Sequence, residues 1–108
     1  MSGSFEDRRK GFESKWAHDE ETRFKIVTRR NRLFGLWVAG ELGLSGEKAD
    51  AYAKTVVASE FNKPGDEGVF DKVRADLDRA KISDHALRHK MADLLETAAE
   101  QVQSETRK

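Results

Sequence analysis

A chain of 108 residues is long enough to bury one real core and too short for two domains. Lys plus Arg and Asp plus Glu each number 20, so the net charge is zero, which argues against a surface devoted throughout to nucleic acid or anionic lipid. Cysteine is absent, which excludes a disulfide framework, thiolate metal ligation and a cysteine nucleophile.

The balance hides an asymmetry. Residues 1–32 hold nine basic and six acidic side chains, whereas residues 33–108 hold eleven and fourteen. An acidic partner therefore meets the N-terminal third first. The opening MSGSFEDRRK lacks the apolar stretch of a secretory signal. The longest apolar run, Leu33 to Gly40, is eight residues, against about 20 for a membrane-spanning helix. No membrane insertion and a cytoplasmic location are expected.

Residues 1–18 form an arm distinct from the rest of the chain. Wound as a helix, they place Phe5, Phe12 and Trp16 on one side at spacings of seven and four, with charged or small residues between. Two glycines and so few apolar side chains make an isolated helix here costly to nucleate. Two readings are open. The arm extends the first helix and packs on the end of a bundle, or it is mobile alone and folds into a groove on a partner. In the second reading the aromatics anchor and the charges steer.

From about Asp19 to Leu42, helical spacing takes over. Phe24, Val27, Asn31, Phe34, Val38 and Leu42 recur at three and four, drawing one stripe. Leu33, Leu36 and Trp37 fall outside it, so the second half of this helix is apolar nearly all round and touches more than one neighbour. Asp19 is a preferred N-cap, or else half of a pH-responsive pair with His18. Gly43 suits a left-handed C-terminal cap.

Three breaks, GLSG at 43–46, NKPGD at 62–66 and KISD at 81–84, divide the rest. Ser45 opens a second helix with Ala49, Tyr52, Ala53, Val56 and Phe61 available for burial, and Pro64-Gly65 ends it. Asp66 caps a third, carrying Val69, Phe70, Val73 and Leu77. Ser83 caps a fourth, and Ile82 before it can staple to Leu87. Leu87, Met91, Leu94, Ala98 and Val102 then make a narrow seam. The first and last helices each run about 33 Å and the middle two are shorter. Short loops favour antiparallel neighbours. The expected fold is all-α: a four-helix bundle over 19–108, two helices long and two short, with the arm at 1–18.

Catalytic parts are scarce, and no enzyme is expected. His85 and His89 sit four apart, a spacing that can share a metal, but without a third ligand they read as a solvated face. GELGLSG follows no strand and reads as a helix end and turn rather than a phosphate loop. No Ser-His-Asp order or Walker lysine is present. No cofactor is required and no metal is expected. The basic cluster Lys25, Arg29, Arg30 and Arg32 remains. It is either a solvated helix face or a phosphate-binding surface, for a nucleotide or, as an alternative function, for nucleic acid through Arg29, Arg30 and Arg32.

The order of residues also resembles a known family. Phe5, Arg8, Phe12-Glu13, Lys15, Ala17-His18-Asp19, Phe24-Lys25, RRN at 29–31, GLW at 35–37, AYA at 51–53 and PGDEGVFDKV are similar to the alphaproteobacterial ATPase inhibitor, the zeta subunit. The resemblance implies a four-helix bundle with an N-terminal inhibitory segment. That segment enters an interface between catalytic subunits in the head of the F-type ATP synthase (alpha, beta and gamma subunits), at the cytoplasmic face of the membrane, and blocks ATP hydrolysis. It further implies ADP or ATP as a regulatory ligand of the bundle. On this chain Phe5, Phe12 and Trp16 become buried anchors, and Arg8, Arg9, Lys10 and Lys15 pair with acidic groups. Lys25, Arg29, Arg30 and Arg32 are the candidates for nucleotide phosphates.

Overall fold

The computed structural model describes residues 19–106. Among them lie four helices and no strand: α1 (Glu20–Glu41), α2 (Gly46–Asn62), α3 (Asp66–Asp76) and α4 (Asp84–Thr106). The all-α bundle of two long and two shorter helices is as expected.

Capping chemistry sets the boundaries. Asp19 has extended backbone, and its Oδ1 accepts from the Glu21 and Thr22 amides at 3.1 and 3.2 Å, while Thr22 Oγ1 donates to Oδ2 at 2.8 Å. Two of the four amides orphaned at a helix start are thereby satisfied. At the other end Gly43 adopts φ +82°, its amide donates to Gly40 O at 3.1 Å, and the Leu44 amide donates to Ala39 O at 2.8 Å. This paired closure is the Schellman motif, open to glycine because its left-handed backbone carries no Cβ penalty. Ser83 Oγ accepts from the Ala86 amide at 3.1 Å and so caps α4.

Two caps differ from expectation. Ser45 occupies the N-cap position of α2, but its hydroxyl makes no capping bond. At α3 the N-cap is Gly65, with φ +91°, and Asp66 is the first helical residue. The Asp66 carboxylate is drawn instead to a guanidinium on α1, a stronger charge-assisted partner than a backbone amide.

The helices pair antiparallel. The N-terminal half of α1 lies along the C-terminal half of α2, and α1 packs chiefly on α2 and α4 while α3 rests mainly on α2. One core cluster joins all four elements: Phe34 and Val38 of α1, Val56 of α2, Val69, Phe70 and Val73 of α3, Leu77 after it, and Leu87 and Met91 of α4. Trp37, Tyr52, Ile82 and Leu94 pack against it half-buried, so Ile82 and Leu87 share one apolar cluster. Beyond the short helices the two long ones zip together through Ile26, Ala98, Ala99 and Val102. Burying a side chain such as Leu87 stabilises by about 2 kcal/mol. Gly35 permits the close approach of α1 and α2, since a Cβ there would stand 2.7 Å from Ala53 Cα.

The buried face of α1 is Ile26, Arg30, Asn31, Phe34, Gly35, Val38 and Ala39. The expected stripe shares Asn31, Phe34 and Val38 with it but is wrong at both ends. Phe24 is 62% exposed and Leu42 37%. Phe61, expected to be available for burial, is 76% exposed. Its helical neighbours four, seven and eleven residues back explain this. Asp50, Lys54, Val57 and Phe61 share the face of α2 that borders a groove rather than the core.

Candidate functional site

The candidate partner-binding residues Phe5, Arg8, Arg9, Lys10, Phe12, Lys15 and Trp16, with His18, lie outside the described residues. The root from which that segment leaves is described. Asp19 closes the first turn of α1 with its own carboxylate. Its pKa is held below the usual carboxylate value, first by the Thr22 hydroxyl and then by the Thr22 and Glu21 amides, with Lys25 contributing charge.

The four members of the basic cluster do not share one surface. Lys25 and Arg32 are exposed. Arg29 reaches across to the end of α4, where Nη1 donates to Gln101 Oε1 at 2.8 Å and Nη2 to both Glu105 carboxylate oxygens at 2.8 and 2.7 Å. Arg30 is 2% exposed and points inward. Its Nε donates to Asn31 Oδ1 at 2.8 Å and its Nη2 to Asp66 Oδ1 at 2.7 Å, while Asn31 Nδ2 donates to Glu60 Oε1 at 2.7 Å. This chain of bonds joins α1, α2 and α3. Burying a guanidinium is costly unless it is paired, and here the pairing partner keeps its far side in water, which reduces the dehydration cost. Arg30 is thus committed inside the bundle and Arg29 is tied at the surface to α4, so the expected run of three arginines facing one phosphate-bearing ligand is broken up. Sequence reasoning missed this because hydropathy alone places arginine outside. The spacing of Ile26, Arg30, Phe34 and Val38 at intervals of four was the available signal.

His85 and His89 lie exposed on α4 with ring centroids 6.4 Å apart, and His89 Nδ1 stands 3.3 Å from Asp93 Oδ2. Among the described residues no group of three or more His, Asp or Glu is arranged to hold a metal. The two histidines border an open cleft of about 860 Å³ with Trp37. Trp37 stacks on Phe34 at 6.1 Å and carries Lys90 Nζ 5.2 Å over its ring. The indole is therefore a half-buried part of the core edge with a cation on its outer face.

A second feature was not foreseen in the sequence. Between α1 and α2 runs a groove of about 440 Å³ lined by Thr28, Arg32, Asp50, Lys54, Val57 and Phe61 among others. It continues into a space of about 300 Å³ bounded by Phe24, Val57, Phe61 and Pro64. Phe24, at that end, follows Asp19 by five residues along the chain. Among the described residues no helix is long and apolar enough to cross a membrane.

A family model described as ATPase inhibitor subunit zeta matches residues 1–101, a span that takes in the N-terminal segment and nearly all of the bundle. No curated protein matches the chain.

Proposed function

Because the chain belongs to the ATPase inhibitor subunit zeta family, we propose that it inhibits the rotary F-type ATP synthase by inserting residues 1–18 into an interface between catalytic subunits of the head. The observation that carries this reading is the family match itself, which begins at residue 1 and so includes the segment assigned to insertion. In this reading residues 1–18 are the inhibitory arm and residues 19–108 the bundle that bears it. The protein works at the cytoplasmic face of the membrane, needs no cofactor and performs no catalysis of its own.

Mechanistically, inhibition is steric. Rotary hydrolysis requires each catalytic interface to pass through several conformations in turn. A segment that binds one of them far better than the others holds the equilibrium there, and the rotor stops. Phe5, Phe12 and Trp16 supply the apolar anchors, while Arg8, Arg9, Lys10 and Lys15 pair with carboxylates along the cleft. The cap at Asp19 supports the division of labour, since its carboxylate satisfies two amides of the first turn of α1 from the boundary itself. ADP or ATP as a regulatory ligand would meet Lys25 and Arg32, the two members of the basic cluster with exposed side chains. A nucleic-acid surface built on Arg29, Arg30 and Arg32 is disfavoured, because two of its three guanidinia are engaged within the bundle.

Deleting residues 1–18 tests the reading. Hydrolysis by the isolated catalytic head should proceed uninhibited in the presence of the truncated chain, with circular dichroism showing the bundle still helical. Full inhibition by residues 19–108 alone would overturn the role given to the arm. For the nucleotide, backbone amide shifts near Lys25 and Arg32 are expected on titration with ADP or ATP, and their absence at millimolar nucleotide would remove that ligand.

A further inference from the structure

We propose that the cleft bordered by Trp37, His85 and His89 binds a small divalent oxyanion, and that it does so when the two imidazoles are protonated. The site draws neither on residues 1–18 nor on the partner they are proposed to enter.

Three parts of the fold meet at this cleft: the end of α1 at Trp37, the segment 79–83 and the first half of α4. Its volume of about 860 Å³ admits an anion with part of its hydration shell. The lining cations are Arg79, Lys81 and Lys90, and the lining acids are Glu41 and Asp93. Just outside, Asp84 is held by Arg74 at 2.8 Å and stands 3.8 Å from Arg79, and Asp78 begins the same turn with its carboxylate on the Ala80 amide. With both imidazoles neutral, the cations Arg74, Arg79, Lys81 and Lys90 are matched by Glu41, Asp78, Asp84 and Asp93. With both protonated, the same set carries an excess of two positive charges.

The cations of the cleft are weakly engaged. Arg79 is 74% exposed and reaches a carboxylate that Arg74 already claims at shorter range. Lys81 Nζ donates at 3.3 Å to a neutral acceptor, the main-chain oxygen of Glu41, and Lys90 Nζ lies 5.2 Å over the Trp37 ring. The imidazoles differ from one another. His89 Nδ1 stands 3.3 Å from Asp93 Oδ2, so a proton on His89 has a carboxylate at hand. His85, with its ring 6.4 Å from that of His89, has no acid in ion-pair reach among the described residues. Imidazole is the side chain that ordinarily gains its charge between about pH 8 and 5, and a second charge at His85 is repelled by His89 one turn away. A divalent oxyanion relieves that repulsion by accepting charged hydrogen bonds from several sides of the cleft; chloride brings half the charge. A metal cation is the opposite case, since it competes with protons for the imidazoles and meets Arg79, Lys81 and Lys90 as like charges.

The test uses the full-length chain with sulfate as the probe, because sulfate stays a dianion from about pH 5 to 8 whereas phosphate titrates in that range. Histidine ring protons are followed by NMR across this range, in sulfate and in chloride at equal ionic strength, with His85→Gln and His89→Gln assigning the signals. Sulfate should bind about 10-fold more tightly at about pH 5.5 than at about pH 8. By linkage, saturating sulfate then raises the titration midpoints of His85 and His89 by amounts that sum to about 1 pH unit. Arg79→Gln with Lys81→Gln should weaken sulfate about 3- to 10-fold at the lower pH. The double variant His85→Gln/His89→Gln should lose the pH dependence, read from the amide shifts of residues 79–90. Lys25→Gln with Arg32→Gln, which do not line this cleft, should change neither result. Identical His85 and His89 titrations in sulfate and chloride would overturn the site. So would a sulfate response that survives Arg79→Gln/Lys81→Gln and disappears with Lys25→Gln/Arg32→Gln.

Discussion

Arg30 and Gly35 are the residues on which α1 depends most specifically. Replacing Arg30 by Ala removes a fully buried side chain and strands the Asn31 side-chain carbonyl oxygen, while Asp66 can return to water. The expected loss is about 2–4 kcal/mol, measurable by urea denaturation, against less than about 0.5 kcal/mol for exposed Arg32→Ala. The glycines give a second contrast. A Cβ at Gly35 meets the Ala53 backbone at 2.7 Å, which cannot swing aside as a flexible side chain could. Gly35→Ala should therefore cost about 1–3 kcal/mol despite the better helix propensity of alanine. Gly40 is also helical but faces open space, so Gly40→Ala should stabilise by about 0.5 kcal/mol in the same measurement. At this scale the sequence was least legible. Arg30 looks like its neighbours Arg29 and Arg32, and only partners arriving from Asn31 and from Asp66, 36 residues away, mark it as interior. Phe24 and Phe61 present the converse, apolar residues whose places on their helices face a groove rather than the core.

For the elements, capping carried most of the legible information. Asp19, Gly43 and Ser83 all mark the ends that their chemistry predicts, because a cap is a local bargain between a side chain or φ angle and the nearest orphaned amides. Asp66 failed as a cap for a non-local reason, the claim of Arg30 on its carboxylate. The Asp19 cap also carries a pH dependence. The folded pKa of Asp19 is depressed, so its contribution is fully present above the unfolded value of about 3.9 and is lost as pH falls through the lower folded value. Below the ordinary carboxylate range the first turn of α1 should fray. Amide exchange and chemical shifts of Glu21 and Thr22, followed on acidification, are expected to change in Asp19 chains, whereas Asp19→Asn should lose that acid-dependent step while keeping a capping oxygen.

Across the whole molecule, the bundle is held by two unequal cores. The larger joins all four helices; the smaller, with Ile26, Ala98, Ala99 and Val102, involves only α1 and α4. Since Asp19 caps α1 and both described core clusters draw on residues of the bundle, the chain 19–108 should melt within about 3 °C of the full-length protein while losing inhibition. A much larger drop would mean that residues 1–18 support the bundle rather than only borrow it. The bundle itself could be read from spacing and breaks, since helical period and loop length are properties of sequence neighbours. The partition into two cores and the groove could not, because both depend on how far α1 and α4 overrun the shorter pair.

The cross-ties of α1 acquire a further meaning if the arm stops a rotating machine. Such a blocker must resist pulling as well as bind, and any tension on the arm enters the bundle at Asp19. From there it runs along the helix with the most extensive packing in the bundle, which is bolted sideways by Arg29 to Glu105 of α4 and by Arg30 to Asp66 of α3. Tension along α1 must then shear many contacts at once instead of peeling them one by one. On this view the two arginines are the mooring of the bundle, placed about three turns from the point where the load arrives.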